Sequence, residues 1–137
     1  MLDQTDIKIL TLLKENSRLQ WREIGELVHL TGQAVANRIK KMEKAGIIEK
    51  YTINLNNIKL DKSLIAYITV FMKASNHLAF IQFVKNNKFI IECHRISGDG
   101  CYLLKVNVTD EENLMCLLNK ILDFGNYRLN ISINRIK

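Results

Sequence analysis

Apolar residues in the first fifty positions recur at the three-to-four-residue spacing of short amphipathic helices. Ile7, Leu10 and Leu13, joined by Ile9, predict a first helix that starts around Leu2-Asp3-Gln4-Thr5-Asp6 and stops at Asn16-Ser17. Asp3 is placed to cap it, and Asp6 lies near its positive end. Trp21, Ile24, Leu27 and Val28 share one face of a second helix. Val35, Ile39 and Met42 repeat at i, i+4 and i+7 and predict the buried stripe of a third. Only His29-Leu30-Thr31-Gly32 separates the last two helices, enough for a sharp turn. Thr31 then stands where its hydroxyl accepts a backbone N–H of the third helix.

Past Gly46, a residue suited to a helix-ending reversal, residues 47–55 alternate well enough for a strand or short hairpin, the wing of a winged helix. Residues 54–62 (NLNNIKLDK) are polar, amide-rich and aperiodic, and are expected to be a linker. From Ser63 the pattern changes. Residues 64–72 are apolar on both faces, as in a doubly covered strand, and 77–85 have a helical pattern. Residues 90–97 predict a strand, Gly98-Asp99-Gly100 a turn, and 101–108 the returning strand. Thr109, with Glu112 three positions on, predicts a capping box opening a helix whose stripe is Leu114, Leu117, Leu118, Ile121 and Leu122. Tyr127, Leu129, Ile131 and Ile133 alternate with polar residues in a last strand. The expected fold is α+β: a winged helix-turn-helix over residues 1–53, a linker over 54–62, and a ferredoxin-like βαββαβ sandwich over 63–137. Strands apolar on both faces add the expectation that two copies stack sheet to sheet.

Burying Val35, Ile39 and Met42 turns Gln33, Ala36, Asn37, Lys40, Lys41 and Lys44 outward, with amides near the helix start and cations towards its end. A helix-turn-helix uses such a face to enter the DNA major groove. The candidate DNA-binding residues are therefore Thr31, Gln33, Ala36, Asn37, Arg38, Lys40, Lys41 and Lys44. Amides suit adenine, Arg suits guanine or phosphate, and lysines neutralise phosphates without reading sequence. The net charge of +6 favours polyanionic partners in general. Its local form is more telling: over residues 31–50, Arg38, Lys40, Lys41, Lys44 and Lys50 face only Glu43 and Glu49.

Other functions lose ground on the same sequence. No apolar run reaches the ~18 residues of a membrane span, and the start of the chain lacks the basic region of a signal peptide, so a cytoplasmic protein without membrane attachment is expected. Cys93, Cys101 and Cys116 are odd in number and scattered, unlike a disulfide framework. Cys93 and His94 are neighbours on a strand and point to opposite faces, so no metal ligands and no cofactor are expected. Paired carboxylates, a nucleophile–base pair and a phosphate-cradling loop are all missing, which argues against an enzyme and leaves no catalytic residue to name. RNA binding on the βαββαβ sheet would need stacking aromatics, and residues 101–108 offer only Tyr102. A nonspecific, nucleoid-like DNA organiser remains the alternative to a sequence-specific regulator, since it would use the same basic helix.

The stretches LDQTDIKILTLLKENSR (2–18), REIGELVHLT (22–31), VANRIKKMEKAGIIEKYT (35–52) and SGDGCYLLKV (97–106) resemble the Lrp/AsnC (feast/famine) family of prokaryotic transcriptional regulators, over nearly the whole chain. The resemblance implies an N-terminal winged helix that binds double-stranded DNA and a C-terminal domain that mediates assembly. It further implies homodimers built into octamers, and an amino-acid effector held between C-terminal domains. Gly98, Asp99, Gly100 and Cys101 fall on the family's effector-site turn. Two departures stand out. Gln20 occupies the position where the family usually caps the second helix with Ser, beside Trp21, expected to be a packing residue. Cys101 stands where many members carry an Asp able to engage an amino group, which leaves open an amino acid, a different ligand or none.

Overall fold

Each helix of the N-terminal half starts on a polar contact that satisfies its free backbone donors. The computed structural model describes residues 2–56 and 64–137, and the chain divides into two compact units between Asn54 and Leu55. In the first unit, Asp3 Oδ1 accepts the Asp6 N–H at 2.8 Å while Asp6 Oδ2 accepts the Asp3 N–H at 3.1 Å, a reciprocal box that opens α1 (Gln4–Glu15). Glu23 Oε2 accepts the Gln20 N–H at 2.6 Å at the start of α2 (Trp21–Val28). Thr31 Oγ1 accepts the Ala34 N–H at 3.2 Å and opens α3 (Gly32–Lys44), as the sequence predicts. Between α2 and α3 the chain turns through His29 in the left-handed region (φ 57°), and the Leu30 N–H returns to the Gly25 carbonyl at 2.9 Å.

Ile9, Ile24, Val35, Ile39 and Met42 form the fully buried centre of this unit, each such side chain contributing roughly 1.5–3 kcal/mol of burial. The predicted stripes are wider than this core. Ile7, Trp21 and Leu27 are at least half exposed, because three short helices enclose only about one residue per turn. After α3, Gly46 turns the chain at φ 69°, and the Ile47 N–H bonds the Met42 carbonyl at 2.9 Å. The expected wing strand over 47–55 does not form: no other strand is present among the described residues of this unit, so the segment has no ladder partner. Tyr51 instead donates its hydroxyl to Glu43 Oε1 at 2.9 Å. Most of the linker expected at 54–62 lies outside the described residues.

The second unit runs β1 (Leu64–Met72), α4 (His77–Asn86), β2 (Ile90–Arg95), β3 (Tyr102–Val108), α5 (Glu111–Leu122) and β4 (Gly125–Ile131), the βαββαβ order expected. Its sheet has the order β2-β3-β1-β4 with every neighbouring pair antiparallel. Ala66, Ile68 and Val70 alternate onto the face covered by helices, with Tyr102, Leu104 and Val106 beside them and Phe80, Leu114, Leu117 and Ile121 packed above. α5 starts one residue later than the sequence suggests. Asp110, not Thr109, is its cap: Asp110 Oδ1 accepts the Asn113 N–H at 2.8 Å, and the Thr109 hydroxyl braces Asp110 Oδ2 at 2.9 Å. Leu122 is exposed beyond the stripe, and Ile133 lies past the end of β4.

The other face of the sheet carries Ile65, Tyr67, Thr69 and Phe71 from β1 beside Leu103, Lys105 and Asn107 from β3, by the alternation of their buried neighbours. Charged groups flank this stripe: Lys105 Nζ meets Glu92 Oε1 at 3.1 Å, and Arg128 lies over the Phe71 ring at 5.5 Å. Among the described residues, Asn107 Oδ1 is the buried side-chain polar atom left without a partner.

Candidate nucleic-acid interface

Burying Val35, Ile39 and Met42 fixes the rotation of α3, and the exposed side chains follow from it. Thr31, Gln33, Asn37, Lys40, Lys41 and Lys44 are exposed. Gln33 Nε2 donates to Asn37 Oδ1 at 3.2 Å, so the two amides one turn apart form a pair. Among the described residues, Lys40, Lys41 and Lys44 make no ion pair.

Two members of the expected face behave differently. Ala36, expected outward, is 1% exposed and belongs to the core. Its methyl leaves little trace in a hydrophobic pattern, and α3 lies close against α2: a Cβ added at Gly32 would sit 3.2 Å from the Arg22 amide nitrogen. Arg38 is half-buried and engaged within the protein, with Nη1 2.6 Å from Asp3 Oδ2 and 2.7 Å from Asp6 Oδ1. It therefore ties α3 to the box that opens α1. The Asp3 carboxyl is held below its ordinary range, first by the Asp6 N–H and then by the Arg38 guanidinium, while the two carboxylates raise the Arg38 pKa. This tie joins residues more than thirty positions apart in sequence, so no local pattern announces it. Trp21, expected to pack inside, is half exposed.

The second unit brings Gly98, Asp99, Gly100 and Cys101 together in one tight turn. Gly98 and Gly100 take φ values of 91° and 97°, a region that side chains rarely adopt. The Cys101 N–H donates to the Val70 carbonyl at 2.8 Å, and the Ile96 N–H to the Cys101 carbonyl at 3.1 Å, anchoring the turn on β1. A Cβ at Gly100 would lie 2.5 Å from Thr69 Cγ2, so the position admits only glycine without movement. Asp99 is exposed, whereas Cys101 packs partly against the core. Cys93 is also half-buried on the core side, its thiol pKa pushed up by burial, and His94 lies on the opposite face near Glu92. All three cysteines are free. Among the described residues no group of His, Cys, Asp or Glu is gathered to hold a metal, and no helix is long and apolar enough to cross a membrane.

Comparison with known proteins follows this division. Residues 2–49 match the family model for winged helix-turn-helix DNA-binding, and residues 65–137 match that for the Lrp/AsnC ligand binding domain. The HTH-type transcriptional regulator LrpB of Bacillus subtilis (strain 168) is 49% identical over 99% of this chain and 91% of its own length. Among solved structures, B. subtilis LrpC superposes with a TM-score of 0.90 at 29% identity, covering 100% of this chain and 98% of that one. A Neisseria meningitidis transcriptional regulator, NMB0573, described in complex with L-Met, gives a TM-score of 0.90 at 31% identity, covering 100% and 93%.

Proposed function

Because this chain belongs to the Lrp/AsnC family of transcriptional regulators, we propose that its α3 enters the DNA major groove with Gln33 and Asn37 towards the bases and Lys40, Lys41 and Lys44 towards phosphates. The protein is a DNA-binding transcriptional regulator. The observation that supports the residue assignment is the exposed row itself: a Thr31-capped helix whose amide pair precedes three lysines without ion-pair partners among the described residues. In this reading Thr31 contributes at the helix start, Arg38 holds the helix in place, and Ala36 makes no contact with DNA. The protein acts in the cytoplasm, on the chromosome, and as a regulator rather than an enzyme.

Its working form is a homodimer joined through the open sheet faces and assembled further into an octamer. Support comes from the apolar stripe of Ile65, Tyr67, Phe71 and Leu103 and from the buried, unpartnered Asn107 Oδ1 beside it. Paired copies present two α3 helices to half-sites one helical turn, or a multiple, apart. An effector of the amino-acid class binds at the turn Gly98, Asp99, Gly100 and Cys101. Asp99 is the exposed carboxylate there, and Cys101 supplies bulk where an acidic side chain would supply charge.

The test is duplex selection from a random pool with the full-length protein, followed by binding to the selected and to random duplexes over a range of salt. A selected sequence bound ~10³-fold or more tightly than random DNA supports a sequence-specific regulator. Equal affinities at every salt concentration would instead identify a nonspecific, nucleoid-like organiser.

A further inference from the structure

The one tryptophan of the chain sits where a core residue was expected, yet half of its surface is open to solvent. Trp21 is the first residue of α2. A Cβ at Gly32, the first residue of α3, would lie 3.2 Å from the Arg22 nitrogen and 3.4 Å from the Trp21 carbonyl carbon. The opening turns of α2 and α3 are therefore side by side, and the half-exposed Trp21 branches from backbone that adjoins the start of α3. Its polar neighbours are already engaged: Arg22 Nε meets Glu26 Oε1 at 3.3 Å, and Glu23 Oε2 holds the Gln20 N–H. The indole Nε1–H has no acceptor among the described residues, and it is a donor only.

From this placement we propose that Trp21 is a DNA-backbone contact: its indole N–H donates to a phosphate of the strand bordering the groove that α3 enters, and its ring lies against the adjoining sugar. The inference rests on the reading that α3 enters DNA. In that geometry the helix before the recognition helix crosses the backbone, so the side chain opening α2 meets phosphate. Side-chain N–H groups commonly serve such contacts, which position the protein without reading bases. The adjoining α3 carries the amide-and-lysine face, whose exposed cations match a polyanionic partner. A neutral donor also leaves a distinct signature: Trp21 adds affinity without releasing a counterion.

As the sole tryptophan, Trp21 reports on itself. The experiment titrates the full-length protein with a pool-selected duplex and with a random duplex, following mobility shift and red-edge-excited emission together. The proposal expects the emission to fall and shift to the blue on saturation, with acrylamide quenching reduced. Trp21→Ala should then weaken both duplexes by roughly ten-fold, and Trp21→Phe, which keeps the ring, by less. Neither substitution should change the salt slope. If mobility shift detects a complex but emission and acrylamide access stay as in the free protein, Trp21 is not at the DNA and the proposal is overturned while the DNA reading stands. A loss restricted to the selected duplex would overturn it too, by making Trp21 a base reader. Absence of a complex with either duplex removes the DNA reading first, and this inference with it.

Discussion

Replacing Gly25 by alanine sets two calculable effects against each other. Gly25 lies inside α2, where helix propensity alone would make Gly25→Ala stabilising by about 1 kcal/mol. The added Cβ, however, would overlap the Leu30 carbonyl oxygen and come within 3.3 Å of both the Gly32 nitrogen and the Thr31 carbonyl carbon. These are backbone atoms of the turn, and they cannot step aside as a flexible side chain would. The same turn is held by the Leu30 N–H bond to the Gly25 carbonyl and by the left-handed His29. Forcing a methyl into such a contact costs about 1–3 kcal/mol, so the net change is a loss of up to about 2 kcal/mol. Urea unfolding of the full-length protein, followed by circular dichroism at the helical band, measures it. DNA affinity should fall with stability, because the displaced turn carries the Thr31 end of α3. Gly46→Ala is the control. Gly46 has φ 69° but nothing within 4 Å of its missing Cβ, so only the left-handed backbone cost of roughly 1 kcal/mol applies. A Gly25→Ala protein about 1 kcal/mol more stable than the parent, with unchanged DNA affinity, would refute the close approach of α2 and α3.

Other outcomes follow from the same contacts. Lys41→Ala should weaken selected and random duplexes alike and lower the salt slope by about one, whereas Asn37→Ala should cost about 1–3 kcal/mol on the selected duplex and little on random DNA; filter binding across salt separates them. Arg38→Gln should destabilise the first unit at neutral pH. The Asp3 carboxyl is depressed in the folded protein, so its contribution is present above its ordinary value of 3.8 and disappears as pH falls through the lower folded value. Parent and variant should therefore converge in urea midpoint below that range, and a constant difference at every pH would count against the ion pair. Asp110→Ala should destabilise the second unit more than Thr109→Ala, since the carboxylate meets the free N–H at the start of α5; thermal melts with the reverse order would restore Thr109 as the cap.

Where the fold follows local rules, the sequence is a good guide. Val35, Ile39 and Met42 lie on one helical row, and they are buried together. Asp3 and Thr31 precede apolar runs with the right spacing, and each closes a cap. The βαββαβ order follows from alternation and turn residues, because β1, β3 and β4 turn alternate side chains towards the helices. Legibility fails where distance along the chain or tight packing decides. Nothing near Arg38 signals that Asp3 and Asp6 will take up its guanidinium. Ala36 is buried because two glycines let α2 and α3 approach, and a methyl carries too little hydrophobic signal to reveal it. Ile7, Trp21 and Leu27 satisfy the helical period but exceed what three short helices can cover. The 47–55 segment has strand composition but no strand to pair with among the described residues of its unit, and composition does not report the partner.

The bond from Gln33 to Asn37 bears on how the proposed recognition surface can change. With Nε2 of one amide donating to Oδ1 of the other, Gln33 Oε1 and Asn37 Nδ2 keep their capacity for outside partners, an acceptor and a donor offered side by side. Under the proposed reading the pair acts as a single letter rather than two. Substituting either residue removes one group and also releases the rotamer of its neighbour. With Arg38 held by α1 and Ala36 inside the core, the proposed reading implies that a new operator preference on this helix arises through coordinated change at both amides, single substitutions passing through a less discriminating intermediate.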